Sequence, residues 1–170
     1  MHGSFPLLLT IQINQFLKGD RPAWAIVTGP TSGIGKSYAI ALAEKGFNLI
    51  LVSRSKGKLE TLQSEISAKF PNCEMRLVDI DMAVSPLGEK YAQTLGEVAK
   101  TGDIRVLINN AGMSHDIPVS FEDTSKDEME SILGVNVGGV LYATKEALPY
   151  LLSDSYFGPI TQLKLGKRRD

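Results

Sequence analysis

The 170-residue sequence predicts an α/β domain in which a parallel sheet is covered by helices on both faces. Three observations carry this. Short apolar runs alternate with stretches of helical period along most of the chain. Those runs lack the in–out alternation of a half-exposed strand, as expected for strands buried on both faces. The first of them, Trp24 to Thr28, runs straight into a glycine turn, Gly29-Pro30-Thr31-Ser32-Gly33-Ile34-Gly35, and a helical pattern follows. Strand, glycine turn and helix in that order suit a site where backbone N–H groups and a helix N-terminus hold a phosphate.

The elements follow in order. Lys36 to Lys45 is expected to be a helix, with Ala39, Ile40, Leu42 and Ala43 apolar and Gly46 closing it. Asn48 to Ser53 is a second buried strand. Lys56 to Lys69 puts Leu59, Leu62 and Ile66 on one helix face, and Pro71-Asn72 marks a turn. Met75 to Ile80 is a third strand, Leu87 to Lys100 a further amphipathic helix, and Ile104 to Asn109 a fourth strand. Asp123 to Leu152 reads as one long helix, with Asp127, Glu128 and Glu130 near the positive end of its dipole. Right-handed crossovers then place the first three strands on one side of the point where strand order reverses, and the fourth on the other. No internal repeat, low-complexity tract or second domain is visible. The expected division is an arm over 1–22, a nucleotide-binding domain over 23–158 and a divergent basic tail over 159–170.

Composition narrows the function classes. Hydrophobic residues make up 43% and charged residues 22%, ordinary for a globular domain. The net charge of −1 gives no reason to expect nucleic acid or an anionic membrane surface. The basic residues Lys164 to Arg169 read as a solvated tail. The single cysteine, Cys73, excludes an internal disulfide framework, fits a reducing compartment and is expected to serve packing. No metal-ligand cluster is expected. Phe5 to Ile13 is apolar but shorter than the roughly 20 residues that cross a bilayer. No Lys or Arg precedes it and no small-residue cleavage site follows, which argues against a signal peptide. A disordered or loosely docked arm is expected, with the remnant of a membrane anchor as the alternative.

Two phosphate-binding patterns nearly coincide at the glycine turn. Gly35-Lys36-Ser37 could end a Walker A loop, and Leu77-Val78-Asp79 could pass for its partner strand. The leading glycine would have to stand at position 30, where proline offers no N–H. The spacing from Thr28 to Gly35 fits T-G-x-x-x-G-x-G instead. Gly29 permits the turn out of the strand, Gly33 lets the backbone approach a pyrophosphate, and Gly35 lets the helix pack closely. Any tight strand-to-helix turn needs glycine, so the pattern requires support. Arg54 follows the second strand, where an acidic residue would bind a ribose 2′-OH and a basic one a 2′-phosphate; this points to NADP. Lys58 can assist, or it is a solvated helix lysine. Asp79-Ile80 ends the third strand, where a carboxylate can face an adenine. Asn109-Asn110-Ala111-Gly112 ends the fourth, where small residues admit a ribose and nicotinamide. Asn136 falls in register with Met129, Ile132 and Val140 on the face a helix would bury, and a polar residue there needs a partner.

Together, T-G-x-x-x-G-x-G, N-N-A-G about 80 residues later and an Asn in the following helix resemble the short-chain dehydrogenase/reductase family over roughly 23–158. The resemblance implies a Rossmann-like, doubly wound sheet that binds NADP through Gly29, Thr31, Ser32, Gly33, Ile34, Gly35, Arg54, Lys58, Asp79, Ile80, Asn110, Ala111 and Gly112. It implies that Asn136 helps hold a water in the family's proton relay. Gly29 to Lys36, Lys45 to Leu51 and Ser53-Arg54 are similar to the branch of very-long-chain 3-oxoacyl-CoA reductases and 17β-hydroxysteroid dehydrogenases. That branch uses NADPH and sits at the endoplasmic reticulum membrane; without it the chain reads as cytoplasmic.

The family's proton donor is a Tyr with a Lys four residues on, and a Ser upstream positions the carbonyl. Tyr38, Tyr91, Tyr142, Tyr150 and Tyr156 all lack that Lys; Tyr142 to Lys145 is one residue short and sits in the helix of Asn136. Ser155 to Ile160 looks like the approach to a fifth strand, but Thr161 to Asp170 suits an edge strand at best. The sheet is therefore expected to be C-terminally incomplete, through truncation, a frame change near residue 160 or an evolved short form. The expected function is an NADPH-dependent ketoreductase by descent, catalytically incomplete as written, with a carbonyl substrate only if completed. The alternatives are an NADP-binding or dimerising module that pairs through the helix over 123–152, and a P-loop protein.

Overall fold

The structure is a computed structural model that describes residue 13 and residues 15–17, 22–83, 87–100, 103–151 and 160–162. Five parallel strands form one sheet: β1 (Ala23–Thr28), β2 (Asn48–Ser53), β3 (Met75–Asp79), β4 (Asp103–Asn109) and β5 (Ile160–Gln162). Their order is β3-β2-β1-β4-β5, so strand order reverses between β1 and β4 as the crossover rule requires. The fifth strand is three residues long and lies parallel at the edge of β4, opposite Leu107 to Asn109. The expected tail from residue 163 on, the arm before residue 13 and Ser155 to Pro159 lie outside the described residues, whereas 160–162 of the expected tail form β5.

The helices are α1 (Gly33–Glu44), α2 (Lys56–Lys69), α3 (Leu87–Lys100), α4 (Lys126–Leu133) and α5 (Gly139–Leu151), with a π-turn over Gly134–Gly138 joining the last two. Side chains alternate across the sheet and build two cores. Ala25, Val27, Leu49 and Leu51 pack under Ala39, Leu42 and Ala43 of α1 and Leu59, Leu62 and Ile66 of α2. Ile26, Ile50, Val52 and Val78 pack on the other face under Leu95 and Ala99 of α3 and Ala143 and Ala147 of α5. At the edge of this second face, Arg76 lies 4.2 Å from the centre of the Trp24 ring and donates to Val98 O at 2.8 Å, tying α3 to the sheet.

Two expectations are corrected by the chain's own packing. The first helix begins at Gly33, three residues before Lys36, because the glycine turn feeds directly into it. The long helix over 123–152 is not continuous. A 3₁₀ turn covers Phe121–Asp123, Ser125 then caps α4 by accepting from Glu128 N at 3.2 Å, and the π-turn interrupts the helix eight residues later.

The arm is docked where it is described. Ile13, Phe16 and Leu17 pack against the α1–α2 core. Register slips between Trp24 and Ala25, which pair with Ile104 and Val106, so Arg105 is bulged out of the ladder. Its side chain pairs with Asp103 and donates to Phe16 O at 3.1 Å, which latches the arm. Cys73 donates to Phe47 O at 3.3 Å, and partial burial pushes its thiol pKa up to about 11. Such a thiol is a packing residue and a poor nucleophile at neutral pH. No helix among the described residues is long and apolar enough to cross a membrane, and none of their acidic, His and Cys side chains cluster as a metal site.

Candidate cofactor site

A cleft of about 470 Å³ opens at the carboxyl ends of β1, β2, β3 and β4, where strand order reverses. Open α/β sheets bind ligands at this place. The glycine turn forms its floor. Gly29 and Gly33 have φ of +63° and +54°, the left-handed region that glycine enters without strain. A Cβ on Gly29 would stand 2.8 Å from Ala111 Cα, so the turn lies directly against the loop after β4. A Cβ at Gly33 would meet nothing within 4 Å, which leaves open space above that backbone. Ser32, the N-cap of α1, makes no side-chain cap bond, so the first-turn amides of α1 are left for a ligand. Ser55 at α2 likewise makes no cap bond whereas Ser125 at α4 does, so it is the position of α1 at the cleft that sets its N-terminus apart.

Thr28 and Asn110 lock the turn to the loop after β4. The buried Thr28 hydroxyl accepts from Asn110 N at 3.0 Å and Ala111 N at 3.1 Å. Asn110 Nδ2 donates to Thr28 O at 3.0 Å and Gly29 O at 2.8 Å. Asn109 Nδ2 donates to Thr144 on α5 at 3.0 Å. Asn109 Oδ1 and Asn110 Oδ1 are buried without partners among the described residues. Each leaves a cost of about 1–3 kcal/mol that the surrounding packing must offset.

Most of the residues expected at the site meet here. Gly29, Thr31, Ser32, Gly33, Ile34, Arg54, Lys58, Ile80, Asn110, Ala111 and Gly112 line the cleft. Three do not. Gly35 is buried under the turn, and a Cβ there would stand 2.3 Å from both Asn110 Nδ2 and Gly29 O, so its part is packing. Asp79 is exposed and lies outside the lining, since strand alternation turns Val78 and Ile80 toward the α3–α5 core and Asp79 the other way. The carboxylate that lines the cleft is Asp81, which also accepts from Ala83 N at 2.9 Å. Lys36, which a Walker loop would aim at phosphate, pairs with Glu65 of α2 at 2.5 Å and is likewise outside the lining. That contact, with a smaller contribution from Lys69, holds the Glu65 carboxyl below the usual carboxylate range.

Asn136 is also placed differently from expectation. It is exposed, and its neighbour Val135 is the buried residue at 8% exposure. The π-turn changes the register and swings Asn136 toward the loop after β4. There Asn136 Oδ1 accepts from Met113 N at 2.9 Å and Nδ2 donates to Met113 O at 2.7 Å. Met82, Met113 and Val135 are lining residues that the sequence did not single out. The Gly-Val-Asn-Val-Gly run, with glycine at each end of a five-residue stretch inside a helix, is the signal that could have found Val135.

A family profile described as short chain dehydrogenase matches residues 23–163, which include every strand and helix above. The chain belongs to the short-chain dehydrogenase family. It is 43% identical over 129 residues to a very-long-chain 3-oxoacyl-CoA reductase of Mycosarcoma maydis, covering 76% of this chain and 36% of that protein. It is 44% identical over 128 residues to the protein of the same name from Scheffersomyces stipitis, covering 75% and 36%. The chain thus aligns with little more than a third of these relatives' length. Among solved structures it is similar to a metagenomic short-chain oxidoreductase in complex with NADP. That structure has 26% identity and a TM-score of 0.69, covering 82% of this chain and 61% of the other.

The cleft fits a dinucleotide on its own geometry. It offers a left-handed glycine floor, uncapped amides at the start of α1, a carboxylate at one wall and two cations beside β2.

Proposed function

We propose that this chain binds NADPH and is the cofactor-binding part of a ketoreductase acting on 3-oxoacyl or steroid-like carbonyls. The observation that carries the cofactor choice is the pairing of Arg54 and Lys58 with the glycine floor in one cleft. A guanidinium at the end of β2 meets a 2′-phosphate with charge-assisted bonds, whereas a carboxylate there would favour the free 2′-OH. The acyl substrate class is supported by the names of the relatives from M. maydis and S. stipitis.

A bound nicotinamide supplies the hydride. The chain's own residues supply the seat: α1 amides for the diphosphate, Arg54 and Lys58 for the 2′-phosphate, and Ala111 and Gly112 for close approach of a ribose. Asn136 holds the Met113 backbone from both sides and so fixes the loop that would face a nicotinamide. No Tyr in these 170 residues carries a Lys four positions on, so the chain by itself is expected to bind cofactor and reduce nothing.

Calorimetric titration with NADPH and NADH tests this. NADPH should bind the tighter, and Arg54→Ala should weaken NADPH roughly 10–100-fold, as expected for losing charge-assisted bonds, while leaving NADH nearly unchanged. Equal affinity for the two dinucleotides would defeat the proposal. NADPH oxidation by the isolated chain with any ketone would defeat the inactivity.

A second reading, pairing with another copy or a longer relative through α4–α5, has its own support. Leu133, Val137 and Leu141 are 60%, 49% and 63% exposed along that helical segment. Apolar side chains grouped on one helical face mark an association surface.

A further inference from the structure

We infer that the π-turn Gly134–Gly138 is the element that sets the separation of the two walls of the cleft, with Met82 and Asn136 as its positioning residues. One wall is the loop after β3, where Ile80, Asp81 and Met82 line the cleft. The other is the loop after β4, from Asn110 to Met113. Both bear on residues 134–139, the turn and the first residue of α5, and they do so by different forces.

On the first wall the tie is packing. Met82 is 6% exposed and belongs to the core that α5 covers. A Cβ on Gly139 would stand 3.0 Å from Met82 Sδ. A Cβ on Gly134 would stand 3.1 Å from Met82 O and 3.3 Å from Ala83 O. The thioether could give way at Gly139, but the backbone at Gly134 could do so only by moving the wall. That wall is itself a tight turn, closed by the bond from Ala83 N to Asp81 Oδ1 at 2.9 Å. On the second wall the tie is polar: Asn136 takes both the N–H and the carbonyl of Met113. Val135, within the same turn, also lines the cleft.

A π-turn is rare inside α-helices and is frequent at functional sites. Here the first residue of the turn, Gly134, abuts the Met82 and Ala83 carbonyls and Asn136, two residues on, holds Met113, so both walls bear on one turn. A change at one wall is therefore felt at the other through the turn. The ligand side of this inference rests on the proposed cofactor binding; the coupling itself is a property of the free chain.

Amide hydrogen exchange on the full chain, with NADPH titration and thermal melting, tests it. Gly134→Val should speed exchange of the Met113 amide at least tenfold and weaken NADPH at least tenfold, with β1 and β2 amides unchanged. Asn136→Ala should speed exchange of the Ala83 amide on the opposite wall about fivefold, an effect that a purely local bond to Met113 would not produce. If Gly134→Val fails to fold, Met82→Ala decides, since it removes the thioether without adding bulk; it should loosen Met113 about fivefold. Unchanged exchange across the turn in Asn136→Ala and in the folded variant of the Gly134/Met82 pair would overturn the inference. So would acceleration spread equally over β1 and β2. Failure of the unsubstituted chain to bind NADPH would instead overturn the proposed function, and the exchange results would still decide the coupling.

Discussion

The two faces of the sheet differ in how completely they are closed. Under α1 and α2 the core takes one side chain after another from β1, β2 and β4, and the docked Phe16 and Leu17 cover its margin. Among the described residues of those two helices, the one large apolar side chain left exposed is Ile34, which lines the cleft. Under α3 and α5 the sheet side is equally dry, yet Leu133, Val137, Leu141, Tyr142 and Leu148 remain open to solvent on the outer surface. The first face is finished by two consecutive strand–helix–strand units. The second is built around a helix that carries apolar residues on more than one side, and it offers a surface to something further.

The largest effect expected from breaking this contrast is at the closed junction. Gly35→Val would drive side-chain atoms into Asn110 and Gly29 O, at a site with no slack. Overpacking of about 3 kcal/mol and loss of measurable NADPH binding are expected, read by urea unfolding and calorimetry. Next comes Asn110→Ala, which removes the bonds to Thr28 O and Gly29 O. A cost of about 2 kcal/mol is expected, with NADPH weakened before the fold is lost. On the open face, the triple change Leu133→Ser, Val137→Ser and Leu141→Ser should alter stability by no more than about 0.5 kcal/mol per site. It should still abolish any concentration-dependent association seen by sedimentation velocity. A monomer at all concentrations before substitution would remove the pairing reading.

The smallest effect concerns Cys73 beneath the closed face. Its thiol pKa is raised from 9.0 to about 11, so at pH 8 the thiolate fraction should be about 100-fold lower than in the unfolded chain. Iodoacetamide should label native protein correspondingly slowly. Because the native pKa lies above the unfolded one, the thiol's contribution to stability is intact below about pH 9. It fades as pH rises toward 11, where both states are ionised. Fast labelling at pH 8 in native conditions would show that the closed face opens readily.

How legible the molecule was in its sequence follows the same division. The strands from β1 to β4 and the helices α2 and α3 were readable to within about a residue, because doubly buried runs and helical periods are local signals. The glycine floor, Arg54 and the Asn-Asn-Ala-Gly loop were readable because each needs a particular residue type at a particular strand end. Asp79 was read as facing the cleft, but alternation along β3 turns Val78 and Ile80 to the α3–α5 core and Asp79 away, and the lining carboxylate is Asp81, past the end of the strand. Asn136 was placed on the buried face because a uniform period was assumed across 123–152. The π-turn that breaks this period is held by Met82 and Met113, distant in sequence.

By itself the sequence determined which segments would be strand or helix, their parallel order, and a glycine turn with a cation beside it at the carboxyl ends of the strands. Those depend on backbone geometry and near-neighbour patterning, which short windows of residues encode. Tertiary structure alone decided that Asp81 and not Asp79 lines the wall, that Arg105 bulges out to latch the arm, and that Asn136 grips Met113. Each of these turns on contacts between residues far apart in the chain, and no local window holds both partners.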